Sequence, residues 1–204
     1  MSGAQVMMVT DRGRASGRAL VDQVRAAAAA GVDLVQLREK DLAGAPLLEL
    51  ARAVVGAVSG TSARVLVNGR PDVAVLSGAH GVELPAQGLP IADVRRAFGS
   101  LLLGASCHDV EGARAAAAAG ASLILFGPVF ATPGKEARAQ GLEALRAVAR
   151  AVDVPVLAIG GVDADSAARV LAAGAAGVAA IRPFLEDAGE AVRAFKRRVH
   201  AERP

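Results

Sequence analysis

Eight short apolar runs alternate with eight helical patterns along the chain, and few folds accommodate such an alternation. The apolar runs are Val6–Val9, Leu34–Arg38, Val65–Asn68, Gly81–Leu84, Leu102–Ser106, Leu123–Val129, Val156–Gly160 and Val178–Ile181. Helical patterns lie between and after them, near 17–30, 44–59, 71–77, 91–98, 109–119, 141–151, 164–173 and 184–199. Short continuous apolar runs suit strands buried on both faces, and the intervening helices supply the crossovers that parallel pairing requires. Eight of each predict an α/β chain folded as a (β/α)8 TIM barrel, one domain over residues 1–204. A doubly wound open sheet is the rival arrangement, but its dinucleotide-binding glycine fingerprint is missing. A length of 204 residues also suits one domain.

A weak internal repeat supports the same reading. Ala30-Gly31-Val32-Asp33-Leu34-Val35, Gly120-Ala121-Ser122-Leu123-Ile124-Leu125 and Gly174-Ala175-Ala176-Gly177-Val178-Ala179 share one pattern, with Gly78-Ala79-His80-Gly81-Val82-Glu83 a looser copy. Each reads as a helix stopped by glycine, a short turn and then a strand. Such turns fall on the N-terminal face of a barrel, where residues serve stability, so His80 is expected to be structural.

Composition limits the classes of function. Aromatics are 2%, with no Trp and no Tyr, so stacking platforms for single-stranded nucleic acid are absent. The net charge of +3 is spread among acids, and only Lys196-Arg197-Arg198 forms a cluster, where it complements the dipole of the last helix. Neither a nucleic-acid partner nor a membrane partner is expected. The longest apolar stretch, Ser122 to Phe130, is far short of a membrane span, and residues 1–10 lack the features of a signal peptide. A single Cys, Cys107, rules out an internal disulfide framework and suits a reducing compartment, so a cytoplasmic location is expected. Homo-oligomerisation stays open.

In a barrel of this kind chemistry sits at the C-terminal ends of the strands. The second run continues as Gln36-Leu37-Arg38-Glu39-Lys40, and alternation puts Gln36, Arg38 and Lys40 on one side. An amide, a guanidinium fork and an ammonium along one line suit an anionic ligand. A salt-bridged barrel mouth is the structural alternative. Glu39, on the other side, reads as a structural partner. Gly160-Gly161 follows the seventh run and would let backbone amides approach a phosphate, with Ile181 and Arg182 after the eighth run beside it. Arg182 could equally form a rim salt bridge. His108 is the only histidine at a strand C-terminus and is the acid–base candidate, although it could also simply help to start the following helix. Cys107 reads as a buried thiol, turned away from Ser106 and His108.

These segments resemble the thiamine phosphate synthase and thiazole tautomerase (TenI) superfamily. The matching stretches run from Met8-Val9-Thr10-Asp11-Arg12 through Val35–Lys40, Val67–Val73, Gly104–His108, Phe126–Lys135 and Ala158–Val162 to Gly177–Ile181. The resemblance implies a barrel acting on a small phosphorylated thiazole. It also implies substrate-binding roles for Gln36, Arg38, Lys40, Asn68, Ser106, Thr132 and Lys135, and phosphate binding at Gly160, Gly161, Ile181 and Arg182.

Two branches differ in detail. The synthase couples a pyrimidine diphosphate to thiazole phosphate and uses Mg²⁺. Its pattern has carboxylates where this chain has Gly69 and Gly88, and its Thr-x-Thr-Lys segment is reduced here to Thr132-Pro133-Gly134-Lys135. The tautomerase branch resembles the chain in Val67-Asn68-Gly69-Arg70, Leu84-Pro85 and Ser106-Cys107-His108. The expectation is therefore a thiazole tautomerase, an isomerase with His108 as the proton-transfer residue and no metal or other cofactor. The alternatives are the Mg²⁺-dependent synthase, and a non-catalytic protein that binds thiazole or thiamine phosphate. The segment Thr132–Gln140 reads as a lid.

Overall fold

A computed structural model describes residues 4–14, 19–132 and 139–200. Eight parallel strands close into a barrel in chain order, with the last strand hydrogen-bonded to the first. They are β1 (Gln5–Val9), β2 (Leu34–Leu37), β3 (Arg64–Asn68), β4 (Gly81–Leu84), β5 (Leu102–Cys107), β6 (Leu123–Phe126), β7 (Val156–Ile159) and β8 (Gly177–Ala180). Each is followed by a helix: α1 (Leu20–Ala29), α2 (Gly44–Ala57), α3 (Pro71–Ser77), α4 (Ile91–Ala97), α5 (Val110–Ala118), α6 (Gly141–Ala151), α7 (Ala164–Ala172) and α8 (Ala188–His200). The (β/α)8 expectation is met.

Period-two alternation divides the core into two layers. Met7, Val9, Leu34, Leu66, Leu123, Leu125, Leu157 and Ala179 point inward and fill the barrel. Their neighbours, among them Val6, Met8, Val35, Val67, Val82, Leu103 and Val178, pack outward beneath the helices. The repeated glycines do what the repeat requires: Gly31, Gly78, Gly120 and Gly174 all have left-handed φ values, between +74° and +97°, at the ends of helices. His80 sits in the turn before β4, where its Nδ1 accepts the Val65 N–H at 3.1 Å. Burial, together with the nearby Arg64 charge, pulls its pKa down, as suits a neutral structural imidazole.

Several boundaries differ from the sequence expectation by a residue or more. β2 ends at Leu37, which leaves Arg38 in the loop. β6 stops at Phe126 rather than Val129, because Gly127 turns against the Ile159 backbone and Pro128 has no N–H to donate. The last helix begins at Ala188 rather than 184. A 3₁₀ turn, Arg182–Phe184, precedes it, and Asp187 Oδ1 accepts the Glu190 N–H at 2.9 Å at its start. The basic cluster on α8 is spent on ion pairs: Lys196 with Asp33 at 2.6 Å, Arg197 with Glu190 at 2.9 Å and Arg198 with Asp165 at 2.8 Å. No helix among the described residues is long and apolar enough to cross a membrane.

At the start of α7, Asp163 accepts the Ser166 N–H at 2.8 Å while Ser166 Oγ accepts the Asp163 N–H at 2.9 Å, a reciprocal capping box. Asp163→Ala is expected to cost about 1 kcal/mol. Calorimetry should show this as a fall in Tm of about 2–4 °C for a chain of this size, and an unchanged Tm would deny the cap its weight.

Candidate active site

The C-terminal ends of the strands open onto a cavity of about 800 Å³. Its wall includes Gln36, Arg38, Lys40, Asn68, Ser106, His108, Thr132, Gly160, Gly161, Ile181 and Arg182, so every residue nominated from the sequence except Lys135 is brought to one place. Lys135 and most of the segment read as a lid lie outside the described residues. Cys107 is buried on the opposite side of its strand, and burial pushes its thiol up to about 11.

The line of groups on β2 is fixed from below. Glu39 is buried, as its structural reading requires, and ties the ends of β1 and β2 together. Its Oε1 accepts the Thr10 hydroxyl at 2.6 Å, and its two oxygens accept the Arg12 N–H at 3.2 and 3.1 Å. Thr10 Oγ1 in turn accepts the Arg38 N–H at 2.9 Å, so the backbone that carries Arg38 is held at a buried anchor. Arg12 spends its guanidinium on Asp41 and Glu39, and Arg70 spends its own on Asp72. The cations that line the cavity are instead Arg14, Arg38, Lys40 and Arg182, facing only two lining carboxylates, Asp163 and Glu186, among the described residues.

The floor is a row of polar side chains from four neighbouring strands. Gln36 Nε2 donates to Asn68 Oδ1 at 3.0 Å, and Ser106 Oγ shares a hydrogen bond of 2.8 Å with Glu83 Oε1. Glu83 is fully buried in the barrel interior, where desolvation raises its pKa to about 8 against the opposing effect of the Ser106 bond. Two buried acceptor atoms, Gln36 Oε1 and Glu83 Oε2, have no hydrogen-bond partner among the described residues. His108 Nδ1 lies 2.6 Å from the Gly127 carbonyl oxygen. That carbonyl can only accept, so the proton sits on Nδ1 and Nε2 is left for the cavity.

Across the mouth, Gly160 and Gly161 have φ values of +92° and +64°. A Cβ on Gly160 would lie 2.5 Å from Pro128 Cα, and one on Gly161 would lie 2.7 Å from Phe130 Cβ. Only glycine can follow β7 here, and the resulting bare backbone faces the cavity beside Arg182.

Sequence reasoning missed Arg14, Asp163, Glu186 and the part played by Glu83. For Glu83 a signal was present: it lies between the apolar Val82 and Leu84 within a strand-like run, so alternation sets it on the opposite face from both. For the other three, loop positions carry no periodicity that could have placed them.

The family model described as thiamine monophosphate synthase matches residues 6–184. A relative from Geobacter sulfurreducens is 46% identical over 183 residues, covering 88% of this chain and 86% of its own. The thiamine-phosphate synthase of Methanoculleus marisnigri is 41% identical over 204 residues, covering 98% of this chain and 97% of its own. The solved structure of a thiamine phosphate pyrophosphorylase from Pyrococcus furiosus superposes with a TM-score of 0.89 at 32% identity, covering 97% of this chain and 96% of that one.

These likenesses overturn the expectation of a thiazole tautomerase, and with it the isomerase class, in favour of the synthase alternative. The structure shows why the tautomerase cues misled. Gly69 holds φ at +67°, a left-handed conformation that favours glycine whatever the chemistry, so its presence after β3 does not separate the two branches.

Proposed function

Because the chain belongs to the thiamine monophosphate synthase family, we propose that it couples a pyrimidine diphosphate with a thiazole phosphate to give thiamine phosphate and pyrophosphate. The observation that carries this reading is a cavity with two anion-handling ends. Arg38 and Lys40 stand on the β2 side, and the bare Gly160-Gly161 backbone stands with Arg182 on the β7–β8 side. In the reaction the thiazole nitrogen lone pair forms a bond to the pyrimidine methylene carbon. The carbon–oxygen bond to the diphosphate breaks, and its electron pair leaves with pyrophosphate. Arg38 and Lys40 meet the charge that grows on that leaving group, and Gly160, Gly161, Ile181 and Arg182 hold the thiazole phosphate. Gln36, Asn68, Ser106 and Thr132 hold the rings between them. His108 serves as a binding residue, offering Nε2 to the substrate.

The residues present do not fit the magnesium that resemblance to the synthases implies. The positions after β3 and β4 are Gly69 and Gly88, and a Cβ on Gly88 would lie 2.9 Å from the Pro85 carbonyl oxygen. The turn from Pro85 to Gly88, closed by a 2.7 Å hydrogen bond from Gly88 N–H to that oxygen, leaves no room for a carboxylate there. Of the two lining carboxylates, Asp163 is committed to capping α7. Among the described residues no group of three or more His, Cys, Asp or Glu is placed to hold a metal ion. The cationic side chains carry the anion binding instead.

The test is incubation of the purified chain with both substrates, reading thiamine phosphate and released pyrophosphate. Saturable, stoichiometric formation of the two supports the reading, and their absence with an intact fold refutes it. In the same assay Arg38→Ala is expected to lower kcat/KM by about 10²–10³-fold, the usual loss when a donor to a developing anion is removed. A loss below about threefold would remove Arg38 from the mechanism.

A further inference from the structure

Directly beneath the cavity, Glu83 is sealed in the barrel, with no exposure to solvent, while its hydrogen-bond partner Ser106 lines the cavity above. It is paired in register with Asn68 on β3 and Gly104 on β5. The space a Cβ would need at Gly104 is occupied by Glu83 Oε2, so the glycine is what lets the carboxyl lie across the barrel. The influences on its ionisation are burial and the Ser106 bond, with no cation among them. Its register neighbour on β3, Asn68, accepts a hydrogen bond from the Gln36 amide of β2. The titratable group that feels its charge is the Cys107 thiol on β5, which itself stays protonated up to about 11.

A carboxylate can only accept a hydrogen bond, whereas a carboxylic acid donates more strongly than a hydroxyl. The 2.8 Å contact between Glu83 Oε1 and Ser106 Oγ therefore has two polarities. With the acid un-ionised, Glu83 donates to Ser106 Oγ, and Oε2 is a carbonyl oxygen left without a donor, a smaller cost than a buried, unpaired O–H. The Ser106 proton is then free to turn into the cavity. With the acid ionised, Ser106 must donate downward and present only lone pairs to whatever is bound.

We infer that Glu83 is a positioning residue that sets the polarity of Ser106: un-ionised, it makes the hydroxyl a donor to an acceptor atom of the bound organic phosphate, and ionised it withdraws that donor. The inference rests on the reading that the cavity takes such a ligand. Ionisation near pH 8 places the change within reach of ordinary buffers.

Thiamine phosphate binding, followed by calorimetry from pH 6.5 to 9.5, tests it. Wild-type affinity is expected to fall about tenfold across the upper half of that range, the loss when one buried hydrogen bond is removed. Glu83→Gln, whose amide can donate to Ser106 at every pH, keeps the neutral-pH affinity, so the ratio of the two proteins' affinities opens only above neutrality. The comparison cancels titration of the ligand phosphate and of any other group that both proteins share. Ser106→Ala binds more weakly at neutral pH and loses the same pH dependence. A second readout needs no ligand: wild type at pH 7 should show the infrared carbonyl band of an un-ionised acid. That band should be absent from Glu83→Gln and displaced in Ser106→Ala.

An affinity ratio that stays constant from pH 6.5 to 9.5, or a missing band, overturns the inference. If thiamine phosphate fails to bind wild type at any pH, the synthase reading falls. The band and its displacement in Ser106→Ala then decide the role of Glu83 alone.

Discussion

Gly160→Ala is expected to destabilise the barrel by about 3 kcal/mol or more and to abolish coupling activity. Two costs add. The residue holds φ at +92°, a left-handed conformation that a residue with a Cβ adopts only under strain of about 1–2 kcal/mol. The added Cβ would also lie 2.5 Å from Pro128 Cα, and that obstacle is backbone, not the movable end of a side chain. The loop after β6 must shift to relieve the clash. That loop carries Ala131 and Thr132 into the cavity, so stability and the proposed phosphate end of the site fail together. For a chain of this size the loss corresponds to a Tm lower by about 6–12 °C. Gly31→Ala is the useful comparison: it shares the positive φ, at +90°, but a Cβ there would meet nothing within 4 Å. It should suffer the backbone strain alone and keep its activity. Equal losses of Tm in the two variants would show that the close approach to Pro128 has no cost of its own.

The second expected result concerns pH and Glu83. The buried carboxyl titrates near 8 in the folded chain and near its ordinary value of 4.5 when unfolded. Between those values the folded state binds the extra proton, so the stability Glu83 contributes is complete below pH 4.5 and is lost as pH rises towards 8. The slope across that window is about 1.4 kcal/mol per pH unit at most, because one proton is involved. Glu83→Gln has no proton to lose. The difference in Tm between variant and wild type should therefore widen steadily from about pH 5 to pH 8 and then level off. The difference cancels the other titrating groups, which both proteins share. A gap that does not change with pH would mean that Glu83 is ionised in the folded chain throughout.

The site was legible where strand periodicity applies. Gln36 and Ser106 lie on inward strand positions, and Arg38 and Lys40 continue the alternation of β2 far enough for it to hold beyond the end of the strand. The Gly160-Gly161 pair announced itself because a positive φ next to a close backbone approach leaves few alternatives to glycine. Arg14, Asp163 and Glu186 reach the cavity from loops, whose path depends on contacts far away in sequence. The choice between the two branches of the superfamily failed for a related reason. It relied on short segments around Gly69, Pro85, Gly88 and His108, and Gly69 answers to a backbone φ of +67° before it answers to any reaction.

By itself the sequence determined the barrel, because eight buried strands with helical crossovers leave one economical way to close, and the repeated glycines mark where each crossover returns. It also determined which strand ends carry charge. Only the tertiary structure decided which of those charges are available. Arg12, Arg70 and the basic cluster on α8 are neutralised by partners that a linear reading cannot pair with them, while Arg38 is left at the mouth above a buried Thr10–Glu39 anchor. The same applies to Glu83. Its ordinary chemistry is that of an exposed anion, and only enclosure within the barrel, where desolvation outweighs its one hydrogen bond, turns it into an acid that keeps its proton.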